Sequence, residues 1–229
     1  MNTNIERLEI VAAGLGPLLN QAVFVGGATA SLYIDSKGAP DVRPTEDVDC
    51  IVEVRSKKHF DELSSELRRN GFANDSRTGA PICRWIYKNV TVDVMPLASD
   101  ILGFSNRWYD QGYKESEEYS LPSGTKIKIL SLAYFIATKL EAFHSRGQND
   151  YRGSSDIEDI VLVIDGCSDC ANKLMLAPED VRVFLREQFS AVSQNPDFID
   201  ATYGCLNRSE RARVEKILAQ IQKFCSLER

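Results

Sequence analysis

The 229-residue sequence has no apolar run long enough to cross a bilayer, so no membrane-spanning helix is expected. Its first residues lack a basic stretch leading into an apolar core, because Glu6, Arg7 and Glu9 interrupt it. Secretion is therefore not predicted, and the cytoplasm is the expected compartment. A basic excess is also missing: 27 Lys and Arg against 33 Asp and Glu leave a formal charge of −6. That argues against a broad non-specific grip on nucleic acid, though not against a local basic patch. The six cysteines are better read as reduced thiols than as a disulfide scaffold in a chain of this length. Cys167 and Cys170 make one C-x-x-C, but the second ligand pair of a structural zinc site does not follow. Histidine is confined to His59 and His144, both at expected surface positions. No internal repeat or low-complexity tract is present.

What is present is an ordinary globular composition, 43% hydrophobic and 26% charged, in a chain long enough for a substantial core. Ile5, Leu8, Ala12, Leu15 and Leu19 predict an amphipathic helix over 4–19. "AVFV" reads as a strand ending at Gly26 and Gly27, with "ATASLYI" starting a helix behind that turn. "DSKGAPDVRP" is a loop by its Gly, Pro and Asp content, and "DVDCIVEV" is a second strand. Ser56 caps a helix to about Asn70, with Gly71 as its stop. "PICRWIY" and "VTVDVMP" read as strands around a turn near Asn89. After a polar stretch and a brief strand-like one, helices are expected over 131–145, 156–165, 178–191 and 208–224. The order is an α/β front half and a helical back half, with a boundary near residue 125. Trp85 and Trp108 read as core or interface anchors.

The chemistry lies where carboxylates interrupt strands. Residues two apart in a strand point to one side, so Asp47, Asp49 and Ile51 share a face opposite Val48, Cys50 and Val52. In the later strand, Asp93 shares a face with Thr91 and Met95, opposite Val90, Val92 and Val94. If the two strands are neighbours, three carboxylates converge, and hard oxygen ligands of that kind suit magnesium or manganese. Gly26 and Gly27 let backbone N–H groups approach a phosphate, and Thr29 offers a hydroxyl. On the helix from 131, at about 100° per residue, Lys139 falls within the apolar stripe and Arg146 beside it. A lysine facing a core needs a partner. Ser155 and Glu158 form a capping box, and Asp156 and Asp159 share a face with Ile160 and Val163, from which they can orient Lys139 or Arg146 or contact an acceptor. Each residue also has a plainer reading: Asp47 as a loop acid, Asp93 as a solvated edge residue, Lys139 as a snorkelling cation, Asp156 as a helix-dipole acid.

Taken together, "VFVGGATA", "RPTEDVDCIVEV", "VTVDVM" and "KLEAFHSRG…SSDIEDI" resemble the polymerase-β-type nucleotidyltransferase superfamily, and within it most of all the AbiEii/AbiGii toxin nucleotidyltransferases. The resemblance covers about residues 20–165. It implies an α+β fold, with a mixed-sheet catalytic domain over 1–125 and a helical domain over 126–229 contributing triphosphate and acceptor contacts. It implies that Asp47, Asp49 and Asp93 are catalytic and bind the metal, and that Gly26, Gly27, Thr29, Lys139 and Arg146 bind the nucleotide. Arg43, Thr45, Asp156 and Asp159 would sit behind these or meet the acceptor. Gly-Gly-Ala stands where the family has Gly-Gly-Thr or Gly-Gly-Ser, and Ser155 where it has a basic residue.

The activity so implied is transfer of a nucleoside monophosphate from a nucleoside triphosphate to an acceptor hydroxyl, with magnesium or manganese as cofactor and pyrophosphate released. The family implies a toxin acting on tRNA or other RNA, with a cognate antitoxin as partner. Arg68, Arg69, Arg77 and Lys88, with Arg208, Arg211 and Arg213, are the basic clusters available to RNA, and surface solvation explains them equally well. The alternatives are transfer to a small molecule such as an aminoglycoside, transfer to a protein, and a nucleotide-binding regulatory module without turnover.

Overall fold

Ala22–Val25 forms β1, four consecutive buried residues, and the sheet grows from it on both sides. The computed structural model describes residues 3–36, 42–103, 105–146, 150–206 and 211–227. The strands that follow are β2 (Asp47–Val52), β3 (Ala73–Asn74), β4 (Arg84–Tyr87), β5 (Val90–Pro96), β6 (Glu117–Ser120) and β7 (Lys126–Ile129). They form one mixed seven-stranded sheet in the order β3-β4-β5-β2-β1-β7-β6. β1 runs antiparallel to β2 and parallel to β7, and β2 runs parallel to β5. The fold class is α+β, as expected. The chain divides into two units, Met1–Thr29 with Arg43–Ser131, and Ala30–Val42 with Leu132–Arg229.

In the first unit, α1 (Thr3–Leu15) buries Leu8, Val11, Ala12 and Leu15 and packs against β2 and β5. It stops four residues short of the expected end. Gly16 takes φ +54, a left-handed conformation that glycine adopts without penalty, and Pro17 then opens a 3-10 helix, Gly16–Gln21. The segment after β1 is likewise a 3-10 helix, Gly27–Tyr33. α2 (Lys57–Arg69) is capped by Ser56, whose hydroxyl accepts from the His59 N–H at 3.3 Å. Its inward residues are Phe60, Leu63 and Leu67, as the spacing predicts. The short helices α3 (Ser99–Leu102) and α4 (Tyr109–Lys114) were not expected. Trp85 and Trp108 are core residues.

The second unit is built on α5 (Leu132–Arg146), which is buried from Leu132 through Leu140 and again at Phe143. Around it lie α6 (Ser155–Gly166), α7 (Cys170–Met175) and α8 (Glu179–Val192); α9 (Pro196–Cys205) meets α6, and α10 (Arg211–Ser226) meets α6 through α9. The expected Ser155–Glu158 capping box is displaced by one residue. Ser154 is the cap and its hydroxyl accepts from the Ile157 N–H at 3.3 Å, which places Ser155 inside the first turn. α10 buries Val214, Ile217, Ile221 and Phe224, while Leu218 is half-buried. At the end of α6, Asp35 accepts from the Ser168 N–H at 2.6 Å and from Lys173 Nζ at 2.7 Å. The Lys173 and Ser168 bonds hold the Asp35 carboxyl at about 2, below its ordinary 3.8. The C-x-x-C is beside it: Lys173 also lies 3.5 Å from Cys167 Sγ, and both cysteines are buried. Of the loop expected over 35–44, residues 37–41 lie outside the described residues. No described helix is long and apolar enough to cross a membrane.

Candidate active site

The parallel register of β2 and β5 sets Asp49 against Asp93 and Asp47 against Thr91. The alternation on which the sequence reading rested therefore holds on both strands. Val48, Cys50, Val92 and Val94 are fully buried on one side, and the three aspartates emerge on the other. Asp47 and Asp49 are half-buried, and Asp93 is only 8% exposed. One oxygen from each of the three carboxylates lies within 4.8 Å of the others. Like charges this close repel unless a cation lies among them, and three hard oxygen donors at this spacing fit magnesium or manganese. The negative field is felt next door. Burial, then Asp49 and Asp93, push the Cys50 thiol far above its ordinary range. Burial and Asp93 raise Cys83 to about 11, so neither thiol ionises near neutral pH.

Gly26 ends β1 opposite this cluster, and its lack of a side chain is a steric requirement. Its φ is +74, and a Cβ there would overlap Asp49 Oδ2 while lying 3.1 Å from Asp49 Cγ. Gly27 opens the 3-10 helix and is buried. Thr29 is fully buried, and its hydroxyl donates to the Gly26 carbonyl at 2.9 Å. Its observed contact thus ties the turn together. The segment entering β2 is pinned by a residue the sequence reading passed over, Asn4 of α1, which is itself fully buried. Its amide donates to the Arg43 carbonyl at 3.0 Å, and its carbonyl accepts from the Thr45 N–H at 2.8 Å. The Thr45 hydroxyl donates to the Asp47 carbonyl at 2.9 Å. Thr45 therefore reaches the backbone of the first aspartate through its hydroxyl, and Arg43 is tied to the same segment through its carbonyl.

A second residue missed from sequence is Arg84. The two-residue turn at Lys88 and Asn89, with φ 46 and 64, is the mirror-image type that closes hairpins, and it sets Arg84 directly opposite Asp93. Its Nε donates to Asp93 Oδ1 at 2.8 Å and its Nη2 to Oδ2 at 2.6 Å. The same Nη2 lies 3.5 Å from Asp47 Oδ2. The bond to Asp93 raises the guanidinium above its already high value, so its charge is permanent. The signal was present in the sequence: counting back from the Lys88–Asn89 turn pairs 84 with 93. A cavity of about 310 Å³ opens beside these residues, lined by Glu46, Asp47, Asp75, Arg77, Arg84 and Thr91 among others.

In the second unit, Lys139 is 7% exposed and Asp159 fully buried. Lys139 Nζ lies 2.6 Å from Asp159 and 3.1 Å from Asp156. Burial opposes its charge, but the two carboxylates outweigh that and the net shift is upward. Arg146 is exposed along most of its length and donates to both oxygens of Asp156 at 3.1–3.2 Å. The core-facing lysine has the partners its position demanded, and they are the two acids one turn apart. Among the basic residues considered for RNA, Arg77 clamps Asp75, Arg68 lies over the Trp85 ring at 5.4 Å, and Arg213 pairs with the buried Asp165. Arg208 and the Arg211 side chain lie outside the described residues.

No family model matches the sequence, and no curated protein matches it. Among solved structures, the chain is similar to the antibiotic-resistance factor ANT(2'')-Ia, whose solution structure reveals substrate-regulated conformation dynamics. The TM-score is 0.48 at 16% identity, over 84% of this chain and 96% of that one.

Proposed function

We propose that the chain is a metal-dependent nucleotidyltransferase, in which an acceptor hydroxyl attacks the α-phosphorus of a nucleoside triphosphate and pyrophosphate leaves. The observation that carries this reading is the convergence of Asp47, Asp49 and Asp93 beside the side-chain-free turn at Gly26. Held by these three carboxylates, magnesium or manganese would supply positive charge for the transferring phosphoryl group and lower the pKa of the attacking hydroxyl. The chain's own residues do the rest by placement. Gly26 and Gly27 keep the floor of the site bare so that phosphate oxygens can approach the backbone. Thr29 holds the Gly26 carbonyl and so fixes the turn. Asp93 takes up the acceptor's proton. Lys139 and Arg146 are retained as nucleotide contacts, Lys139 kept charged by Asp156 and Asp159 and Arg146 oriented by Asp156; Arg146→Ala is expected to raise KM for the nucleotide more than it lowers kcat.

For the acceptor, the resemblance to the AbiEii/AbiGii group points to tRNA or other RNA and to a cognate antitoxin. The cavity against Asp47 favours a second reading, a small polar acceptor, because about 300 Å³ is the lower end of small-ligand pockets and this one measures about 310 Å³. The test is label transfer from the four α-labelled nucleoside triphosphates, with magnesium or manganese, to total RNA, to an aminoglycoside panel or to the protein itself. Label appearing on any acceptor and lost in Asp47→Ala/Asp49→Ala supports the reaction, and the labelled species identifies the acceptor. Nucleotide binding with no transfer to any of these would replace the enzyme by a regulatory nucleotide-binding module.

A further inference from the structure

The carboxylate triad is already partly neutralised by this chain. Arg84 spends both arms of its fork on Asp93, at 2.8 and 2.6 Å, and approaches Asp47 at 3.5 Å. This is the strong, planar, bidentate form of the Arg–carboxylate contact. It is fixed by the backbone, because Arg84 and Asp93 are directly paired across β4 and β5 by a hairpin turn with a single register. The Asp93 side chain is 11% exposed and that of Arg84 28%, so the pair is shielded from the screening that weakens surface ion pairs. Each carboxylate oxygen keeps a further lone pair beyond the one Arg84 uses. The contact thus orients Asp93 without closing it to a second cation.

We propose that Arg84 is a positioning residue of the metal site: it sets the plane of the Asp93 carboxylate and, as a permanent positive charge, holds down the affinity of the nucleotide-free triad for a divalent ion. Its guanidinium offsets one unit of the negative charge that Asp93 and Asp47 present to a divalent ion. Without Arg84 the same acids would bind metal more tightly even with no nucleotide present. With it, tight binding awaits the additional oxygens of a triphosphate, so metal and nucleotide are taken up together. The inference rests on the nucleotidyltransferase reading for the identity of the nucleotide. Its core, an arginine that competes with a divalent ion for two aspartates, is testable without turnover.

The experiment is manganese titration of the nucleotide-free protein, with free ion followed by electron paramagnetic resonance, in the wild type, Arg84→Gln, Arg84→Lys and Asp49→Ala. Removing a unit charge in contact with two of the three ligands is expected to tighten manganese binding by at least about tenfold in Arg84→Gln. Arg84→Lys, which keeps the charge but not the fork, is expected to stay within about threefold of wild type. Asp49→Ala abolishes binding. Urea unfolding of each variant establishes that it folds, and Arg84→Lys serves if Arg84→Gln does not: a lysine variant that binds manganese tenfold tighter than wild type, or an Arg84→Gln protein that binds no more tightly, overturns the proposal. Manganese binding to none of the proteins overturns it as well. The two readings separate cleanly. Tightening in Arg84→Gln without any label transfer by the wild type sinks the enzyme and keeps the gate, whereas transfer with unchanged manganese affinity does the reverse.

Discussion

Gly26→Ala is the substitution on which the site geometry bears most directly. Two costs can be separated. A non-glycine residue at φ +74 sits in the left-handed region, at a cost of about 1–2 kcal/mol. The new methyl group overlaps Asp49 Oδ2 and lies 3.1 and 3.2 Å from Asp49 Cγ and Cβ. The carboxylate must therefore turn off its rotamer, which adds about 0.5–1.5 kcal/mol. The sum, about 1.5–3.5 kcal/mol, should appear as a lower urea midpoint at unchanged slope. Because most of the second cost is owed to the carboxylate, it should largely disappear when that side chain is shortened to alanine, which leaves only the 3.2 Å contact to Cβ. In an Asp49→Ala background, Gly26→Ala is expected to cost little more than the backbone part, about 1–2 kcal/mol. The carboxylate that moves is a metal ligand in the proposed mechanism, and a misplacement of about 1 Å can cost about 10²-fold in rate, so label transfer should fall by that order. A Gly26→Ala protein with unchanged stability would refute the geometry. Equal costs in the two backgrounds would refute the contact with Asp49 while leaving the left-handed turn.

Asp47→Ala and Asp49→Ala should each lower label transfer by more than about 10²-fold, since even the loss of a residue behind a metal ligand costs about 10–100-fold; a smaller loss would remove them from the catalytic set. Lys139→Met leaves the fully buried Asp159 without its cation and should lower unfolding free energy by about 3–5 kcal/mol, with much of the loss recovered in Lys139→Met/Asp159→Leu. Little loss in the single variant would mean that water reaches the pair. Asp35, held at about 2 against an ordinary 3.8, contributes stability that is complete above pH 3.8 and is lost as pH falls through about 2. Its side chain is 45% exposed, so the contribution is discounted to about 1 kcal/mol. Asp35→Asn should therefore be about 1 kcal/mol less stable than wild type at pH 7 and equal to it at the acid end, and a difference that persists there would assign the effect to packing. Manganese binding in the Arg84 variants, tighter in Arg84→Gln and near wild type in Arg84→Lys, is the remaining prediction.

The triad was legible because it follows from period-2 arithmetic within each strand plus one assumption, that β2 and β5 are neighbours. Gly26 was legible by residue type, but the reason for it was not: only the antiparallel register of β1 and β2, which sets Val25 against Asp49, brings that carboxylate against the turn. Arg84 escaped because a face assignment was made for Asp93 and not for the residue across the hairpin. Thr29 was read as a free hydroxyl because sequence gives no direction within a 3-10 turn. The acids of α6 were legible as partners able to orient Lys139 or Arg146, and they pair with both. Their burial was not legible: α5 is buried nearly all the way round, so its apolar pattern defines no single inward stripe, and the depth of the pair depends on how α6 packs against α5. The displaced cap at Ser154 and the early end of α1 at Gly16 are errors of a few residues at helix ends, where fraying and left-handed glycines compete with apolar periodicity.

Charge, more than shape, distinguishes this cluster from a structural one. A set of asparagines at 47, 49 and 93 would keep every backbone pairing of β2 and β5 and would spare the sheet three mutually repelling groups. The buried acids elsewhere in the protein are matched: Asp165 by Arg213 and the Asp156–Asp159 pair by Lys139 and Arg146. At the triad Arg84 offsets part of the charge of Asp93 and Asp47, and Asp49 and Asp93 lie beside the fully buried Cys50, whose thiol they help keep protonated. Carboxylates clustered this closely next to a sheet core are destabilising in isolation. Binding to the native state alone returns stability in proportion to occupancy, so a divalent ion offsets the cost only in the folded protein. On the proposed reading, the arginine that offsets part of this charge sets how strongly the three strand carboxylates draw a divalent ion.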